Sequence, residues 1–197
     1  MVHTERVRAD AVRNRARILD AARAVVAETG AEAAMEDIAR RAGVAVGTLY
    51  RHFPAKTDLV AAVVEDSVER LAAHAEGALR AVADGAPPGA ELARLFGATA
   101  ESHATDRVFK AAAGRLDAPA EIPVAPPGTA VRRAVDALAT LLAAGARAGE
   151  VRPDVEVADL AALLAGTPGD PRRRARYVAV VVDGLLVRPV GPREIDT

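Results

Sequence analysis

The 197 residues predict an all-α fold, and three observations lead to it. Alanine, the strongest helix former, fills 48 positions, whereas the strand-favouring aromatic residues number five. Apolar side chains recur at the helical period in one segment after another, with no convincing strand between them. Glycine and proline collect between those segments, where helices have to stop. The expected architecture is about nine helices, with an N-terminal three-helix unit over residues 1–56 and a larger helical body over 57–197.

The first helix runs over 9–29, with Val12, Ile18, Leu19, Ala22, Val25 and Val26 on one stripe and Gly30 at its end. A short helix over 35–42 places Ile38, Ala39 and Ala42 inward and closes at Gly43. After Gly43, Val44 and Ala45, a third helix over 46–52 sets Leu49 and Phe53 four residues apart on one side, and Pro54 stops it. From Thr57, expected as the cap, a long helix follows Leu59, Val60, Val63, Val64, Val68, Leu71, Ala75 and Leu79. Further helices are expected at 90–104, 106–115, 131–148, 155–165 and 172–188, with a proline-rich connection over 118–128 and a turn over 150–154.

Charge divides along the same line. Residues 1–56 hold ten Arg or Lys against seven Asp or Glu, although the whole chain carries a net charge of −1. A basic front on a mildly acidic body fits a front that meets phosphate. Two short helices joined by a three-residue turn form a helix-turn-helix, whose second helix is narrow enough for the major groove of double-stranded DNA. Projecting residues 46–53 at about 100° per residue turns Leu49 and Phe53 inward, flanked by Val46 and His52. Gly47, Thr48, Tyr50 and Arg51 then point outward. Thr48 and Tyr50 offer hydroxyls, Arg51 a fork for guanine or phosphate, and bare Gly47 allows close approach, while Val46 can touch a thymine methyl.

The string Ile18-Leu19-Asp20-Ala21-Ala22, then Glu28-Thr29-Gly30, then Asp37 through Leu59 with its Gly47-Thr48-Leu49-Tyr50-Arg51-His52-Phe53-Pro54-Ala55-Lys56 run, resembles the DNA-binding domain of TetR-family transcriptional regulators. The likeness covers about residues 12–64; beyond it a helical body of suitable length and the Glu150-Val151-Arg152-Pro153-Asp154 turn fit more loosely. The resemblance implies that Val46, Gly47 and Tyr50 face bases, and that Thr48, His52 and Lys56 hold phosphates. Arg51 stands where the family often has an aromatic residue and adds a contact of its own. Lys56 makes sense independently, since its charge adds to the positive end of the long helix. Ala34 and Met35 replace the threonine or serine that usually opens the second helix, so that phosphate contact is absent. Glu36 and Asp37 add negative charge nearby, and an arm of Arg6, Arg8, Arg13, Arg15 and Arg17 is expected to compensate, with Arg13 and Arg15 placed among the DNA contacts.

A single helix-turn-helix reads too few base pairs to be selective, so a homodimer is expected. Its interface is placed on the last two helices, at Leu160, Leu164, Val178, Val181, Val182 and Leu185. Four arginines, Arg172, Arg173, Arg174 and Arg176, crowd the start of the last helix against its dipole, and salt bridges are open to Asp154, Glu156 or Asp159, or across the dimer. The resemblance implies a small-molecule effector in the body, for which His74, Phe96, His103, Phe109 and Lys110 are the candidate lining. The implied function is an operator-binding repressor released by that effector; the alternative is an interaction module that keeps the scaffold without binding DNA.

Other classes find little support. With no cysteine there is no thiolate metal site, disulfide or cysteine nucleophile, and the four histidines at 3, 52, 74 and 103 lack metal-ligand spacing. No catalytic residue, metal or cofactor is called for, and an enzyme is not expected. The longest apolar stretch, Tyr177 to Val187, is interrupted by Asp183 and far shorter than the roughly 20 residues that span a bilayer. With no apolar run before Ile18, a cytoplasmic protein without membrane attachment is the expectation.

Overall fold

The computed structural model describes residues 2–29, 33–105 and 126–187. Among these lie eight α-helices, which we number α1 (Val2–Thr29), α2 (Met35–Ala42), α3 (Val46–His52), α4 (Lys56–Ala83), α5 (Pro88–Thr105), α6 (Ala130–Arg147), α7 (Val157–Ala165) and α8 (Pro171–Leu185). The expected helix at 106–115 lies outside the described residues. The chain separates into two compact units, one of residues 1–68 with 102–119 and one of 69–101 with 120–197, so α4 contributes to both.

In the first unit the apolar stripe of α1 does what its spacing dictates. Ile18, Leu19, Ala22 and Val25 close over Met35, Ile38, Ala39 and Ala42 of α2, Leu49 of α3, Phe53, and Leu59 and Val63 of α4. Gly43 ends α2 in the left-handed region at φ 63°, and its N–H returns to the carbonyls of Ala39 and Arg40. Three residues later α3 begins at Val46, so the turn is as short as the sequence requires. The start of α4 differs from expectation. It begins at Lys56, and its cap is not Thr57: the Asp58 carboxylate accepts the Ala55 N–H at 2.9 Å.

In the second unit Ala75, Ala78, Leu92, Leu95, Phe96, Leu138, Leu141, Leu142, Val151, Leu160, Val181 and Leu185 form the core. Gly145 is required there by close approach, because a Cβ on it would lie 2.3 Å from Val151 Cγ2. The 150–154 turn folds back onto α6: Glu150 and Val151 both donate to the Gly145 carbonyl, and the Glu150 carboxylate accepts the Gly89 N–H at 2.7 Å. Val151 pairs antiparallel with Leu186, which explains why α8 stops at Leu185 rather than at 188. Leu186 leaves the helix at ψ 141° so that its strand-like edge can meet the turn.

Helix starts also moved for chemical reasons. Pro88 and Pro171 each take the first helical position, where a missing N–H costs nothing, so α5 and α8 begin earlier than the apolar stripes alone suggest. Glu156 and Asp159 form a reciprocal capping box that fixes α7 at Val157. Asp170 caps α8 by accepting the Arg173 N–H at 2.8 Å. Arg174 is buried, and it is not paired with Asp154, Glu156 or Asp159. Its guanidinium grips Glu101 of α5 with two bonds of 2.7 and 2.8 Å, and donates to the Pro168 and Gly169 carbonyls.

Candidate nucleic-acid interface

The seven residues of α3 are held from below. Leu49 is fully buried and Phe53 is 3% exposed, and between them they anchor one side of the helix in the first unit's core. On the other side Val46 and Tyr50 are 40% and 41% exposed, against the tendency of residues this apolar to hide. Gly47 and Arg51 are exposed with them, and Thr48 is half-buried. A Cβ on Gly47 would meet nothing within 4 Å, so the backbone there is bare by composition and not for want of room. Tyr50 and Val46 therefore do not complete the core of the small domain. They form its outer surface.

His52 is half-buried, its ring 6.3 Å from that of Phe53, and Lys56 is exposed at the first position of α4. At the start of α2, Ala34 offers no side-chain hydrogen bond, as the departure from serine or threonine entails. Of the two acidic residues there, Asp37 pairs with Arg40 one turn along, while Glu36 is exposed.

The arginines of α1 whose side chains are described are occupied within the unit. Arg13 pairs with Asp10. Arg15 lies over the Phe53 ring, its guanidinium carbon 5.6 Å from the centroid, and Arg17 donates to the Gly43 carbonyl at 3.2 Å. Arg23, missed in the sequence, pairs with Asp66 of α4 and with Asp20. The side chains of Arg6 and Arg8 lie outside the described residues.

Three of the effector candidates lie among the described residues. His74 is exposed on α4, Phe96 belongs to the continuous apolar core of the second unit, and His103 is buried near the end of α5. Phe109 and Lys110 lie outside the described residues. Of the interface candidates, Leu160, Val181 and Leu185 are buried in the chain's own core and have little surface left for a partner. They lie on the inward stripe of α7 and α8. Leu164, Val178 and Val182 are half-buried, and Val180, on the outer side of α8, is 64% exposed.

Two glutamates in the second unit are held below the ordinary value of 4.5. Glu76 is lowered by its hydrogen bonds from Arg133, which also reaches Glu69, and Glu101 by its bonds from Arg174. These are struts between helices. Among the described residues no group of three or more His, Cys, Asp or Glu is placed to hold a metal, and no helix is long and apolar enough to cross a membrane.

An all-helical chain with a braced helix-turn-helix and an exposed second helix belongs to the class of helix-turn-helix DNA-binding regulators. Comparison with known proteins narrows this. Residues 18–63 match the model for bacterial regulatory proteins of the tetR family, and residues 87–187 match the C-terminal domain of SbtR-like transcriptional regulators. The crystal structure of a TetR transcription regulatory protein from Mycobacterium vanbaalenii is 43% identical, covering 92% of this chain and 99% of that one, with a TM-score of 0.66. A gamma-butyrolactone receptor, an ArpA-like protein, is 28% identical over 90% of both chains with a TM-score of 0.54. The HTH-type transcriptional repressor KstR of Mycolicibacterium smegmatis is 46% identical over 74 residues, 37% of this chain. The matched stretches span only 27–37% of the length of three such repressors. The chain belongs to the TetR family of transcriptional regulators.

Proposed function

We propose that this chain is a homodimeric repressor that holds an operator through α3 and is released from it by a small-molecule effector. The observation that carries the reading is the exposed face of α3, where Val46, Gly47, Tyr50 and Arg51, with half-buried Thr48 beside them, are held outward by the buried pair Leu49 and Phe53. Val46, Gly47 and Tyr50 meet base edges, with Val46 reading thymine methyls. Thr48, His52 and Lys56 hold phosphates, and Arg51 and Arg13 add positive charge. With so few hydrogen-bonding groups at 46 and 47, discrimination leans on methyl contact and DNA shape. These exposed groups favour DNA binding over a scaffold that has lost it.

Residues 1–56 form the DNA-binding domain in this reading, and residues 57–197 the effector and dimerisation domain. Dimerisation sets two copies of α3 about 34 Å apart, one turn of DNA. The likeness to a gamma-butyrolactone receptor supports a small-molecule effector, whose action equals its differential affinity for the two dimer states. His74, Phe96, His103, Phe109 and Lys110 remain its candidate contacts. The protein acts in the cytoplasm without a cofactor and is not an enzyme.

A gel-shift titration against the promoter beside the protein's own gene tests the reading. A complex that weakens steeply with salt is expected. Equal binding to that promoter and to a scrambled duplex contradicts it.

A further inference from the structure

Arg15 continues the buried stripe of α1 one turn before Ile18 and Leu19, and Arg17 stands to one side of that stripe. Two residues apart on a helix, they project about 200° from one another, so they reach different neighbours. Arg17 donates to the carbonyl of Gly43, the left-handed residue that begins the turn before α3. Arg15 covers the ring of Phe53, the residue that ends α3. One arginine thus braces the entrance of the recognition helix and the other its exit. The seven-residue α3 has no side-chain cap at Ala45, and Leu49 is its only fully buried residue. So short a helix depends on its neighbours for orientation.

We infer that Arg15 and Arg17 are positioning residues for operator recognition: they fix the angle at which α3 presents its face, and do not serve chiefly as phosphate contacts. Their partners make this chemically specific. Both guanidiniums are engaged by groups of the fold itself, the Phe53 ring and the Gly43 carbonyl, so what they hold is the end of α3 and the turn before it. Asp66 of α4 ties the same helix through Arg23, so α1 is itself anchored while it holds α3.

The inference rests on the DNA-binding reading above, and the two fail differently. A duplex enriched from a random pool by the full-length wild-type protein, and a scrambled duplex of the same length, are titrated across a range of salt. Arg15→Gln and Arg17→Gln are each expected to lower affinity for the enriched duplex about tenfold. Binding to the scrambled duplex and the slope against log salt should stay near wild type. Phe53→Leu should reproduce the Arg15→Gln loss without changing charge, and the double variant should lose no more than either alone. Arg17→Lys, which keeps one donor for the Gly43 carbonyl, should recover most of the affinity. The inference is overturned if the glutamine variants weaken both duplexes alike and flatten the salt slope by about one, the mark of a lost phosphate contact. Unchanged affinity in those variants overturns it equally. If the wild-type chain enriches no duplex, the DNA-binding reading falls and takes this inference with it.

Discussion

Gly43 shows how much can rest on one residue. Its φ of 63° is one that a side chain adopts only at a cost, and a Cβ there would sit 2.6 Å from the Arg17 guanidinium. Gly43→Ala is therefore expected to cost about 1–2 kcal/mol and to displace Arg17 from the carbonyl it serves. Urea unfolding at neutral pH measures the first effect, and an unchanged midpoint would contradict it. At this scale the sequence was informative wherever a rule is local. The four-residue spacing of Leu49 and Phe53 decided which way Tyr50 and Arg51 face, and the glycine announced the turn. Arg15 and Arg17 were illegible in their true setting, because an arginine near the start of a chain reads as a solvated charge until the fold shows what lies opposite.

Among the elements, a long and continuous apolar stripe marks the helix nearly to its ends, as in α6. The ends themselves were set by capping chemistry and by long-range pairing, which periodicity does not carry. Asp58 and the Glu156–Asp159 box moved two starts, and the Val151–Leu186 pairing cut α8 short. The same folded-back turn makes Gly145 essential. Gly145→Ala improves helix propensity yet drives a methyl into Val151, and a net loss of about 1–3 kcal/mol is expected in thermal or urea unfolding. A gain in stability would show that Val151 does not pack there.

The strut between α5 and α8 has a pH signature. Arg174 lowers the folded-state pKa of Glu101 from its ordinary 4.5, so this pair's contribution is complete above that value. It fades as pH falls through the lowered value. Because Glu101 is largely exposed, water screens much of the interaction, and the contribution is modest. Glu101→Gln should lower stability at pH 7 and flatten the acid limb of a stability-against-pH curve. Parallel curves for variant and wild type would contradict the assignment. The Glu76–Arg133 pair, lowered in the same sense, continues to supply its share in that variant.

For the whole molecule, the question is what two copies do together. Val180 is exposed on α8 while Val181 and Leu185 are buried, so an association through this helix has to use its outer side, with Leu164, Val178 and Val182 at the margin. Val180→Glu is expected to weaken self-association about tenfold or more, as for a charge placed in an apolar interface, without altering the helical content. Sedimentation at several concentrations reads this, and an unchanged dimer would move the interface elsewhere. The division of charge points to a basic front, and the apolar run of α8 to burial against both the chain's own body and a partner, without dividing its residues between the two.

Fluorescence anisotropy with the promoter duplex tests the outward face of α3 most directly, comparing wild type with Tyr50→Ala combined with Lys56→Ala. Both side chains are exposed, so the variant keeps the fold. The wild type should prefer the promoter to a scrambled duplex and lose affinity steeply with salt, and the variant should lose that preference. A variant that binds the promoter as tightly as wild type would contradict the account.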